Sequence, residues 1–245
     1  MTFTFGIITN GENNEYLDLI IKSIQKENIP EYEIIIVGHY ENNLNNQIKI
    51  INFDENIKKG WITKKKNLIT ENAKYDNIVY MHDYIILEEG WYNGWLKYGE
   101  NFKACMNMVK NLNGERYRDW TLFPFAIIPD QRPIGSEGLL PYDLEINDNI
   151  NKHIYFSGSY WVAKKNIMQE IPLDENKCWG QGEDVWWSAQ YTSKYLFSMN
   201  SYSCVKLLKQ KEVHWNFCSE KSINFVKNLN INTEERFKFL KKICK

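Results

Sequence analysis

Three short segments of this chain carry residue types that can do chemistry at spacings that suit it. His82-Asp83-Tyr84 follows directly on the apolar run Ile78-Val79-Tyr80-Met81. A carboxylate at the end of a buried strand is partly desolvated, and its ionised form is costly unless something balances the charge. A divalent cation held against phosphate oxygens does so, because Mg2+ or Mn2+ takes one or two protein carboxylates and completes its shell with phosphate. The plainer alternative is a solvated turn Asp that caps the next element. The second segment is Gly180-Gln181-Gly182-Glu183-Asp184. Paired glycines let the backbone turn sharply and approach a ligand, and Asp184 at the helix start is placed to act as a general base. Equally, Glu183 and Asp184 are the acidic first-turn residues that a helix dipole favours. The third is Val213-His214-Trp215, whose imidazole is either a second metal contact or a hydrogen-bonded structural residue. A basic run, Lys64-Lys65-Lys66, opens a helix ahead of Asn67. It is either a solvated face or a source of one lysine, Lys66 before its neighbours, that neutralises phosphate.

These residues need elements to position them. Phe3-Thr4-Phe5-Gly6-Ile7-Ile8 reads as a strand ending at the turn Thr9-Asn10-Gly11. Leu17, Ile20, Ile21 and Ile24 recur at i, i+3, i+4 and i+7, one face of an amphipathic helix. Ile34-Ile35-Ile36-Val37 is the continuous β-branched run of a strand covered on both faces, and a third strand spans residues 48–53. Residues 62–73 read as a helix and 78–81 as another buried strand. This alternation implies a parallel sheet. Ligands of open α/β sheets bind beyond the carboxyl ends of the strands, so Thr9-Asn10-Gly11, Gly38-His39 and His82-Asp83 converge on one crevice. Further along, residues 104–109 read as a strand and 129–152 as a long irregular excursion. One strand over 154–163 carries Ser157-Gly158-Ser159. A helix over 183–195 follows, and a short one over 233–245 has Phe237, Leu240 and Cys244 on one face.

Composition narrows the function classes. A net charge of −1 supplies no basic field for nucleic acid. Five widely spaced Cys form no CxxC pair, which argues against a zinc site or a disulfide framework and for a reducing, cytoplasmic setting. The first residues lack the basic and long apolar regions of a signal peptide. No apolar run nears the roughly 20 residues that span a bilayer. The basic C-terminal helix, with Arg236, Lys238, Lys241 and Lys242, has too short an apolar face for a membrane surface.

Taken together, these segments resemble the family-2-like glycosyltransferases of the GT-A fold, over residues 3–217. The resemblance rests on Gly6-Ile7-Ile8-Thr9-Asn10-Gly11, on Lys66-Asn67 and Ala73 ahead of Met81-His82-Asp83-Tyr84, on Phe156-Ser157-Gly158-Ser159, and on Gly182-Glu183-Asp184-Val185. The family's DxD metal motif is reduced here to a single carboxylate, and Gly38-His39-Tyr40 replaces the acidic residue often found after the second strand. The resemblance implies an α/β fold: a single GT-A-type, Rossmann-like domain over 1–245, with a mixed, mostly parallel central sheet flanked by helices. Residues 1–98 would form the nucleotide-sugar half, 99–217 the acceptor and catalytic half, and 218–245 a helical tail. It further implies transfer of a sugar from a nucleotide diphosphate donor to an acceptor hydroxyl with inversion. Thr9, Asn10, Gly11, Gly38, His39, Lys66, Asn67, His82, Trp179 and Gly182 would bind the nucleotide-sugar. Asp83 and His214 would hold Mn2+ or Mg2+, and Asp184, with Glu183 beside it, would be the catalytic base. The donor would be a UDP-sugar, with GDP- and dTDP-sugars as alternatives, and the acceptor a carbohydrate or glycoconjugate. Residues 116–152 are expected to meet the acceptor, unless Trp120 is core and Asp119 pairs with a neighbouring Arg. Two other readings compete. A nucleotidyltransferase carries a glycine-rich basic loop after the first strand, and Thr9-Asn10-Gly11-Glu12-Asn13 is neither. A catalytically silent carbohydrate-binding protein on the same fold would not need Asp83 and Asp184 together.

Overall fold

A computed structural model describes residues 1–41, 48–124, 137–212, 216–229 and 231–244. The first half runs β1 (Phe3–Ile8), α1 (Asn14–Lys26), β2 (Tyr32–Val37), β3 (Ile48–Ile51), α2 (Ile62–Asn72), β4 (Asn77–His82), β5 (Ile85–Leu87), α3 (Trp91–Tyr98) and β6 (Ala104–Lys110). The second runs β7 (Thr121–Leu122), β8 (Gly138–Leu139), α4 (Asp148–Asn151), β9 (Ile154–Tyr155), β10 (Tyr160–Lys164), α5 (Lys165–Glu170), α6 (Glu183–Thr192), β11 (Ser198–Leu207), α7 (Glu220–Lys227) and α8 (Thr233–Ile243).

The central sheet has the order β3-β2-β1-β4-β10-β6-β11-β5. The first four strands are parallel in register, as the alternating strand–helix pattern requires. β10 then enters antiparallel between β4 and β6, and β6 pairs in parallel with β11. A small second sheet, β8-β7-β9, lies beside it. This is the mixed, mostly parallel sheet with flanking helices expected from the sequence.

Alternation along β1 shows how both faces are covered. Phe3 and Phe5 project to one side, where their rings meet Trp91 of α3 at 5.0 and 5.4 Å between centroids. Gly6 projects to the other, and α2 lies so close that a side chain at 6 would overlap Ile69. Leu17, Ile20, Ile21 and Ile24 are the buried stripe of α1.

The structure adds β5 and α3, which the sequence reading did not foresee, and differs from it over residues 129–163. The single strand expected over 154–163 is two, β9 and β10, because the chain turns at Phe156-Ser157-Gly158-Ser159 and β9 joins the small sheet. In the 129–152 excursion, residues 137–152 contain β8 and α4, while 129–136 lie outside the described residues.

Gly94 shows how tightly α3 backs onto β11. A Cβ there would overlap the Tyr202 carbonyl oxygen and Ser203 Oγ. Alanine raises helix propensity by about 1 kcal/mol, whereas overpacking against backbone costs ~1–3 kcal/mol or more. Gly94→Ala is therefore expected to destabilise the protein, read as a lower urea midpoint; a higher midpoint would reject this packing.

Candidate functional site

The carboxyl ends of β1, β2 and β4 form one rim. Asp83, 7 % exposed, stands one residue beyond β4. Its backbone N–H donates to the Ile8 carbonyl at 3.2 Å. Thr9 Oγ1 donates to Asp83 Oδ2 at 2.8 Å, and Asn13 Nδ2 to the same oxygen at 3.2 Å. Thr9 Oγ1 also accepts the Gly11 N–H at 3.0 Å, so one hydroxyl ties the first loop to the carboxylate. Gly38, with φ +135°, lies so close to the Thr9 carbonyl that a Cβ would collide with it, and Gly11 is positioned against the His39 side chain. Lys65 Nζ donates to the Thr9 carbonyl at 2.7 Å and pairs with Glu55. The structure thus brings Thr9, Gly11, Gly38, His39 and Asp83 together. Asn10 caps the turn, its Oδ1 accepting the Glu12 N–H at 3.2 Å.

A second cluster centres on the Gly158 peptide, in the turn between β9 and β10. Lys66 Nζ donates to its carbonyl at 2.6 Å, and its N–H donates to Asp184 Oδ2 at 3.0 Å. Lys66 is only 1 % exposed, with its ammonium 4.3 Å from the Trp161 ring centroid. Its charge is therefore directed at the protein interior. Gly182, in the left-handed conformation, starts α6 and lies against Cys244. Asp184 Oδ1 accepts the Val185 N–H at 2.8 Å. Burial pushes the Asp184 carboxyl above the ordinary Asp value, against the pull of these two N–H donors. Burial, reinforced by neighbouring Asp184, pushes Glu183 up to about 7. Burial lowers Lys66 to about 8, while the two carboxylates act in the opposite sense.

Tyr84 follows directly on Asp83 and is buried. Burial raises its phenol above the ordinary value, and both Asp83 and Asp184 add to the shift. Its Oη accepts a hydrogen bond from Lys211 Nζ at 2.7 Å. His82 packs on the Tyr84 ring at 5.4 Å between centroids. Burial and the charges of Lys66, Lys211 and Lys209 lower the pKa of its imidazole well below the ordinary value, against the Gly158 backbone, and among the described residues nothing hydrogen-bonds its enclosed Nε2.

Other sequence candidates have different placements. Asn67 straps α2 to the segment after α5, donating to the Leu173 carbonyl at 2.9 Å and accepting the Leu173 N–H at 3.1 Å. Trp179 is 72 % exposed and anchored by its N–H to the Gly60 carbonyl at 2.9 Å. His214 lies outside the described residues. In the region expected to meet acceptor, Trp120 is core and stacks on Phe197. Asp119 is buried on Arg116, at 2.7 Å, and on the Tyr142 hydroxyl, at 2.6 Å. Sequence reasoning passed over Tyr84, Lys209, Lys211 and the Gly158 backbone; adjacency to Asp83 was the available signal for Tyr84.

A divalent cation fits Asp83 as one carboxylate ligand. Both described hydrogen bonds go to Oδ2, so among the described residues nothing donates to Oδ1. No cluster of three His, Cys, Asp or Glu exists among the described residues, so phosphate oxygens would have to complete the shell.

The strand order and helix placement define a GT-A-like glycosyltransferase fold. The chain is similar to GalNAc-T7, solved with UDP, GalNAc and Mn2+, at 13 % identity and TM-score 0.62, over 92 % of this chain and 47 % of that one. It is also similar to S. aureus TarS residues 1–349 in complex with UDP-GlcNAc, at 12 % identity and TM-score 0.57, over 99 % of this chain and 71 % of that one. The chain thus spans about half the length of GalNAc-T7. No protein-family model and no curated protein sequence matches it.

The Glu183 carboxyl has a stability consequence. Its folded-state pKa of about 7 exceeds the unfolded value of 4.5. Between these the folded state binds more protons, so this contribution to stability is full below the lower value and is lost as pH rises through the upper. Raising the pH from about 5 to about 8 should lower the melting temperature of the wild type more than that of Glu183→Gln. Parallel melting curves across that range would reject the assignment.

Proposed function

We propose that this chain is a nucleotide-sugar glycosyltransferase, acting as one domain, with a UDP-sugar as donor and a carbohydrate or glycoconjugate hydroxyl as acceptor. The observation that carries the reading is the backbone link between the two carboxylates at the carboxyl rim of a GT-A-like sheet: His82, next to Asp83, donates its N–H to the Ser159 carbonyl at 3.1 Å, and Gly158, next to Ser159, donates its N–H to Asp184 Oδ2 at 3.0 Å. The UDP and UDP-GlcNAc in the similar structures support the choice of donor. Thr9, Asn10, Gly11, Gly38 and His39 would line the nucleotide, and Trp179 and Gly182 would border the sugar.

Asp83, with His214, would hold Mn2+ or Mg2+. When bound, such a cation offsets negative charge on the diphosphate. The remaining chemistry belongs to side chains of this chain. Asp184 takes the proton of the acceptor hydroxyl as its oxygen bonds to the anomeric carbon. Burial raises its pKa above the ordinary Asp value, which makes it a stronger base than an exposed aspartate. The N–H of Gly158 fixes the orientation of the carboxylate. A single displacement from the face opposite the leaving group inverts the anomeric configuration. All five cysteines are free, and among the described residues no helix is long and apolar enough to cross a membrane. The free cysteines support a cytoplasmic site of action.

General-base catalysis contributes typically 10²–10⁴-fold. With the donor and acceptor found by screening nucleotide sugars, Asp184→Asn should lower kcat by at least about 100-fold while leaving donor affinity intact; normal turnover would rule out this base. Asp83→Ala should weaken Mn2+-linked donor binding in a calorimetric titration, and unchanged affinity would remove Asp83 from metal binding.

A further inference from the structure

The segment following β11 carries a charged cluster that the proposed chemistry leaves unused. Lys209 Nζ and Lys211 Nζ each stand 4.1 Å from the centroid of the Tyr84 ring, and Lys211 also donates to the Tyr84 hydroxyl. Two ammonium ions on one ring repel each other. Among the described residues, no carboxylate lies within ion-pair distance of either. A neutral phenol does not balance this charge.

The cluster is held in place by backbone contacts rather than by its own charges. Buried Tyr84 accepts the Leu208 N–H on its carbonyl at 2.8 Å. Fully buried Asn111 grips Lys211 at both ends of its backbone: its Oδ1 accepts the Lys211 N–H at 2.9 Å, and its Nδ2 donates to the Lys211 carbonyl. Gln210 Oε1 accepts the Asn113 N–H at 3.1 Å. The ammonium of half-buried Lys211 is thus aimed at the residue next to Asp83 before any ligand arrives. Preorganised positive charge of this kind suits an anion carrying two or more charges.

The geometry points to a diphosphate clamp built from the chain itself: Lys211, with Lys209 beside it, holds the donor's phosphates next to Asp83 and takes up charge on the departing nucleoside diphosphate. The inference rests on the donor reading above. In the transfer, the bond between the anomeric carbon and the β-phosphate oxygen breaks with its electron pair going to that oxygen. The acceptor oxygen bonds to the same carbon, and its proton passes to Asp184. The clamp lysines keep their protons and contribute charge alone.

The test is calorimetric titration of the full chain with UDP, GDP and dTDP, followed by the monophosphate and nucleoside of whichever base binds, each in EDTA and in Mn2+. In EDTA the wild type should bind the diphosphate more tightly than the monophosphate; equal affinities would overturn the clamp without any variant. Lys211→Gln should lose about tenfold or more of diphosphate affinity in EDTA, the loss of one charge-assisted hydrogen bond, with nucleoside affinity unchanged. Lys211→Arg should retain most of it. Lys97→Gln removes a lysine stacked 4.1 Å over Tyr202 on the exposed side of α3 and serves as the control that should change nothing. A folded Lys209→Gln/Lys211→Gln protein that binds diphosphate like the wild type would overturn the clamp and leave the donor reading standing. A wild type that binds none of the three diphosphates would remove both.

Discussion

The Gly158 peptide is held from two sides by groups that resist burial, Lys66 on its carbonyl and Asp184 on its N–H. Each of those charges is costly where it lies, and each is made tolerable by the same backbone unit and by the other. Because Lys66 comes from α2, Gly158 from the turn before β10, and Asp184 from the first turn of α6, the interaction ties three elements of the fold to one point. A Cβ at 158 would stand 3.1 Å from Asp184 Oδ2, so any other residue there would make the carboxylate give by a few tenths of an ångström. The proposed base is therefore oriented by backbone, which cannot rotate away as a side-chain partner could.

The other half of the site is set up in a different way. Asp83 sits on the parallel part of the sheet, where register places Ile8 opposite His82. That pairing puts Thr9 and Asp83 at the same level, within hydrogen-bond reach. The antiparallel entry of β10 beside β4 then brings Gly158 to the same rim, with His82 N–H donating to the Ser159 carbonyl at 3.1 Å. The change of strand direction is what places residues from the second half of the chain against those from the first.

Charge distribution across this rim is uneven. Burial and the charges of Lys66, Lys211 and Lys209 all lower the His82 pKa, while Asp83 opposes the burial that lowers Lys211. Lys211 is seated on a tyrosine hydroxyl beside Asp83 rather than on a carboxylate, and fixed positive charge of this kind suits an anionic ligand. Carboxylates with raised and lysines with lowered pKa values are the usual companions of a functional crevice.

Local periodicity alone was enough to define β1, α1, β2, α2 and β4, because each buries a face whose spacing is written in consecutive residues. Strand ends follow from strand positions, so the convergence of Thr9, Gly38 and Asp83 was legible too, as were the left-handed Gly182 and the acidic start of α6. α3 was not legible, since Trp91, Tyr92 and Trp95 pack from three directions and Gly94 is there only to let β11 approach. The split of residues 154–163 into β9 and β10 was equally hidden, because the two pieces join different sheets and only long-range pairing decides that. The interior orientation of Lys66 and the seating of Lys211 on Tyr84 depend on partners 92 and 127 positions away. A sequence names the charged groups it holds; which of them meet, and with what left unbalanced, is settled only when strands distant along the chain are laid side by side.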